Sequence, residues 1–103
     1  MASFYDKLMA FLATTIFVTP QRFEVSQSAP WEIRFYELTD DEFDGLIAVA
    51  AANNLSRGEK YNPERDFKTN AMRVDFPNLS DSEATGVVSL VGKQFAPKVW
   101  RPK

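Results

Sequence analysis

The chain contains no cysteine and no histidine. The first absence excludes disulfides, thiolate nucleophiles and cysteine-held zinc. The second removes the side chain most used for proton transfer near neutral pH. The phosphate-loop patterns G-x-x-x-x-G-K and G-x-G-x-x-G, the serine elbow G-x-S-x-G and the triplet D-F-G are missing as well. Together these absences predict a protein that is not an enzyme and carries no cofactor and no metal. The longest apolar stretch, residues 8–18, is too short to cross a bilayer. Asp6 beside Lys7, with no small-x-small cleavage site directly after the stretch, argues against a signal peptide. The expected setting is the cytoplasm, away from membranes, where Asn54-Leu55-Ser56 and Asn78-Leu79-Ser80 carry no glycan.

At 103 residues, 45% hydrophobic and 25% charged, the chain has the size and balance of one globular domain. Nine phenylalanines among 14% aromatic residues predict an aromatic-rich core or aromatics held out for a partner. The net charge of −2 hides a gradient. Residues 1–56 carry three basic against eight acidic side chains, and residues 57–103 nine against six. After Glu83 there is no acid, while Lys93, Lys98, Arg101 and Lys103 follow. Halves of opposite sign suit a charged partner or self-association into a homo-oligomer.

One sequence pattern occurs twice, 41 positions apart: Leu38 matches Leu79, Thr39 matches Ser80, Asp40 matches Asp81, Glu42 matches Glu83 and Gly45 matches Gly86. Each copy is a capping box. The Thr39 or Ser80 hydroxyl accepts from the amide three residues on, the glutamate reaches back to the cap amide, and the leucine staples the entry. The expected buried stripes are Phe43, Leu46, Ile47 and Ala50 in one helix, and Ala84, Val87, Val88, Val91 and Phe95 in the other. A strand precedes each helix: 31–37 with Trp31, Ile33 and Phe35 on one side, and 71–76 with Met72, Val74 and Phe76 on one side, stopped by Pro77. The pattern reads either as a favourable helix start used twice or as a duplicated βα unit, 31–55 and 71–95. A glycine inside a helix costs about 1 kcal/mol relative to alanine. Its recurrence predicts that the two helices cross near Gly45 and Gly86, or that one of these makes a dimer contact.

Elsewhere, Ser3 and Asp6 predict the start of a short helix over residues 4–13. Residues 14–18 and 22–26 read as a hairpin, and residues 56–70 as a long loop. The reading is therefore a single α+β domain over residues 1–103: one mixed sheet of three to five strands, with two or three helices mainly on one face. An extended tail spans residues 96–103. Strands 31–37 and 71–76, joined by the first capped helix, are expected as parallel neighbours or near neighbours.

Two stretches carry functional chemistry. The acids Glu37, Asp40, Asp41 and Asp44 could occupy a basic groove on another protein, although such runs also simply favour helix starts. The near-calcium spelling of Asp40, Glu42, Asp44 and Gly45 has Ala51 where the bidentate glutamate belongs. Lys93, Lys98, Trp100, Arg101 and Lys103 have the composition of a nucleic-acid or acidic-protein contact. Alternatively Val99 and Trp100 fold back onto the sheet or core. Arg34 and Tyr36 could stack bases, but Glu32, Glu37 and the acidic turn repel phosphate. The functional expectation is a non-enzymatic protein-binding module, a small regulator or inhibitor whose partner is another protein. The alternatives are nucleic-acid association through the tail, or a subunit of a larger assembly such as a viral particle.

Overall fold

The computed structural model describes residues 3–13, 15, 22–66, 68–69 and 71–95. Among them the order is α1 (Phe4–Leu12), β1 (Phe23–Val25), β2 (Trp31–Phe35), α2 (Asp40–Ala52), β3 (Asn62–Asp66), β4 (Ala71–Leu79) and α3 (Asp81–Gln94). The strands form one sheet in the order β1-β2-β4-β3. This is an α+β fold. Inward side chains of β2 and β4 (Trp31, Ile33, Phe35, Met72, Val74, Phe76) join Leu46, Val49, Val87, Val88 and Val91 of α2 and α3 in one core. Phe35 and Phe76 meet edge to face at its centre, 6.0 Å between centroids. α1 packs along α3 and adds Leu8 and Leu12 to the core. Those two leucines account for part of the apolar stretch at residues 8–18. Thr15 is buried and its hydroxyl donates to the Leu12 carbonyl at 2.8 Å. The rest of the strand expected over 14–18 lies outside the described residues.

The expected parallel arrangement is corrected. Every hydrogen-bonded strand pair among the described residues is antiparallel, β2 against β4 included. The reason is β3, which falls inside the segment expected to be a loop. Its sequence, Asn-Pro-Glu-Arg-Asp, has no strand propensity, but an edge strand tolerates proline and benefits from charge. The right place for the parallel crossover is therefore β2–α2–β3, and β4 returns between them. β4 also runs through Pro77 to Leu79. The register shifts by one opposite Trp31 and Ile33, and Asn78 adopts φ 56° in this irregularity, so proline sits where the ladder lapses.

The repeated pattern is larger than a βα unit. β1-β2-α2 and β3-β4-α3 are two ββα units, and the strand order places them about an approximate two-fold axis between β2 and β4. Both capping boxes form: Thr39 and Ser80 accept from the amides of Glu42 and Glu83, each at 3.2 Å. Each capping glutamate also takes a cation from the chain before it. Glu42 receives both guanidinium nitrogens of Arg22 at 2.8 Å, and Glu83 receives Lys60 at 3.0 Å. The leucine staples Leu38 and Leu79 are buried. α2 buries Leu46, Val49 and Ala50, while Phe43 and Ile47 are half-buried, because Gly45 and Glu42 also face inward.

Candidate functional site

The three helices leave the other sheet face without a layer among the described residues. Register decides what that face presents. Glu24 lies beside Arg34, Arg34 beside Asp75, and Asp75 beside Asn62. In the neighbouring row Arg73 lies beside Glu64. Arg34 pairs with Glu32 at 2.9 Å; Arg73 pairs with Glu64 at 3.1 Å and with Asp75 at 3.4 Å. The half-buried phenol of Tyr36 is pushed above its ordinary pKa, first by burial and then by its hydrogen bond to Glu24.

Asp75 is the unusual member. Its Oδ1 is buried and has no hydrogen-bond partner among the described residues. Burial raises its pKa, against the pull of Arg73 and Arg34. A group raised in the folded state gives stability that is complete below its unfolded pKa of about 3.9 and is lost as pH rises through the folded value. Asp75→Asn is therefore expected to gain on the wild type as pH increases from about 4 to 7, as urea midpoints across that range would record. A constant offset between the two proteins would contradict this account.

At one end of the face lies a groove of about 520 Å³, lined by Arg22, Tyr36, Glu37, Glu64, Asp66, Ala71, Met72 and Arg73. Two elements build its acidic rim. Glu37, at φ 49°, turns the chain from β2 into α2, and its carbonyl accepts from Arg22 at 3.0 Å. Glu64 and Asp66 come from β3. The Asp66 carboxyl is held below its usual range by the amide of Lys68 and then by Thr69. The Leu38 amide donates to the Met72 carbonyl at 3.1 Å and fixes the corner against β4.

Of the acids singled out in the sequence, Glu37 lines this groove. Asp40, Asp41 and Asp44 stand exposed on the first turns of α2. Asp40 approaches Arg65 of β3 to 3.9 Å, an exposed pair of little energetic weight. Asp41 and Asp44 make no ion pair among the described residues. Glu42 differs from them. It is 6% exposed and turned into the bidentate pair with Arg22, so the near-calcium spelling loses its third ligand to the protein's own guanidinium. Glu64 and Asp66 were not legible as site residues, since only the β3–β4 register carries them to Glu37. Of the cationic tail, Lys93 is exposed in the last turn of α3. Lys98, Trp100, Arg101 and Lys103 lie outside the described residues.

No family model matches this chain, and neither does any curated protein or solved structure. The geometry thus carries the reading alone. Among the described residues no three carboxylates converge as metal ligands, and no helix is long and apolar enough to cross a membrane.

Gly45 and Gly86 do not pack on each other. A Cβ on Gly45 would come within 2.5 Å of the Phe95 ring, and one on Gly86 would overlap the Asn53 side chain. Phe95 and Asn53 are the C-caps of α3 and α2. Each glycine thus receives the end of the other helix, which makes α2 and α3 an antiparallel pair. Their packing contact is within the chain.

Proposed function

We propose that the chain is a non-enzymatic protein-binding module, a small cytoplasmic regulator or inhibitor that takes a basic segment of a partner protein at its acidic end. The observation that carries this reading is the joining of two acidic stretches at one groove. Glu37 of the turn before α2 meets Glu64 and Asp66 of β3 there. Arg22 is engaged by Glu42 and Arg73 is shared between Glu64 and Asp75, which among the described residues leaves Glu37 and Asp66 as the groove's uncompensated charges. Tyr36 and Ala71 give that groove an apolar surface on which the stem of an arginine or lysine can lie. Such a surface gives orientation and rapid encounter more than raw affinity.

Titrating a lysine- and arginine-rich peptide into isotope-labelled protein tests it. The amide signals of residues 37–44 and 64–66 are expected to shift. Glu37→Lys is expected to weaken binding about tenfold at low salt, and to change the melting temperature little because this groove residue is exposed and outside the helix. A peptide that causes no shifts, or binds the reversed variant equally well, would remove the reading.

A further inference from the structure

We propose that the groove at the acidic end has a resident occupant, the chain's own residues 96–103, and that a basic partner must displace it. The proposal rests on the binding reading above and adds its regulation. Three observations support it. The first is position. α3 ends on the helix side of the same end of the sheet as the groove, and not at the far end, because Phe95 packs against Gly45 in the second turn of α2. From Gly45 back to the start of α2 is about 7.5 Å, five residues of helical rise. There Asp40 reaches β3 through Arg65, and Leu38 is bonded to Met72 in the groove lining.

The second is length. Residues 96–103, if extended, reach at most about 29 Å, enough to pass from the helix side over that end of the sheet. The third is charge and chemistry. The segment reads Ala-Pro-Lys-Val-Trp-Arg-Pro-Lys, with Lys98, Arg101 and Lys103 and no acid. It meets a groove lined by the acids Glu37, Glu64 and Asp66 together with Tyr36 and Ala71. Trp100 has the apolar surface available to it, and the cations have the rim. Tethering raises the local concentration of the segment to the millimolar range, so a contact too weak to hold a free peptide is held within one molecule.

The absence of native cysteine makes the test clean, since Lys103→Cys gives one labelling site on the full chain. With a nitroxide there, amide signals of Glu37, residues 64–66 and Ala71 are expected to broaden, and those of residues 80–83 at the far end to stay sharp. The broadening is expected to vanish in about 0.5 M salt, where exposed charges are screened. Absent broadening at the groove, or broadening at other sites, would overturn the proposal. So would broadening only of unlabelled partners in a mixed-isotope sample, which would assign the groove to a second copy.

A second arm separates this proposal from the binding reading. The K98Q/R101Q/K103Q variant is expected to bind the basic peptide on the order of tenfold more tightly than the wild type, because its own competitor is gone. Equal affinity of the two proteins would sink the tail's role while leaving the binding reading intact. Broadening at the groove, with the peptide bound by neither protein, would leave the contact standing and sink the binding reading.

Discussion

Arg22→Ala is expected to lower stability by about 3–5 kcal/mol, because it strands a buried carboxylate. Glu42 lies at the start of α2, 6% exposed, and both of its oxygens accept from Arg22. Oε1 also accepts from the Thr39 amide at 2.9 Å. Removing the guanidinium leaves that carboxylate, close to the core, with the Thr39 amide bond in place of three bonds. At about 4–8 °C per kcal/mol for a domain of this size, the melting temperature should fall by more than about 12 °C. R22M/E42Q should recover much of the loss, since the neutral amide keeps the cap bond and no buried charge remains. If Arg22→Ala melted within a few degrees of the wild type, the pair would be a surface feature and the account would fail.

The same pair sets a pH dependence. Glu42 is held below the ordinary carboxylate range, first by its hydrogen bonds from Arg22 and then by the Thr39 cap. Its contribution is complete above the unfolded pKa of about 4.3 and is lost as pH falls through the lower folded value. The gap between wild type and Arg22→Ala should therefore narrow on acidification. The counterpart in the second unit behaves differently. Lys60 and Glu83 are more open to water, so Lys60→Ala should cost no more than about 1 kcal/mol. Unfolding curves of the two alanine variants side by side would show whether the repeated device has one strong and one weak copy.

Gly45→Leu is the second large effect, an expected loss of about 2–3 kcal/mol after the better helix propensity of leucine is counted. The added side chain would enter the space held by the Phe95 ring, which is buried. Gly86→Leu should behave alike, by driving Asn53 off the end of α2 and breaking its bond to the Val49 carbonyl. A double-mutant cycle locates the cause. In a Phe95→Ala background the cost of Gly45→Leu should shrink, because the ring it displaces is no longer there. Wild-type melting temperatures for both leucine variants would show that the glycines are not closely packed.

Local chemistry was legible to the residue in several places. The capping boxes at Thr39 and Ser80 form as their side chains dictate, and the alternation of Trp31, Ile33 and Phe35 and of Met72, Val74 and Phe76 fixes which sides of two strands are buried. The stripe Ala84, Val87, Val88, Val91 and Phe95 is buried as its spacing predicts. These features succeed because hydrogen bonds to neighbours three residues away, and periods of 2 and 3.6, are settled within one element. β3 was not legible. Asn62–Asp66 becomes a strand because β4 offers it an unpaired edge, and no propensity of its own announces that.

The site divides along the same line. Exposed acids at Asp40, Asp41 and Asp44 follow from a helix start that favours negative charge. That Glu42 turns inward to Arg22, twenty residues earlier, is decided by the pairing of β1 with β2, which brings Arg22 to the corner. That Glu64 and Asp66 join Glu37 is decided by β3 entering the sheet beside β4. By itself the sequence determined where two helices start, what caps them and which faces they bury. Only the tertiary structure decided the strand order, the antiparallel return of β4, the seating of Gly45 and Gly86 under the opposite helix ends, and the groove. Each of these depends on groups far apart in the chain, whose meeting is fixed by burying one shared core.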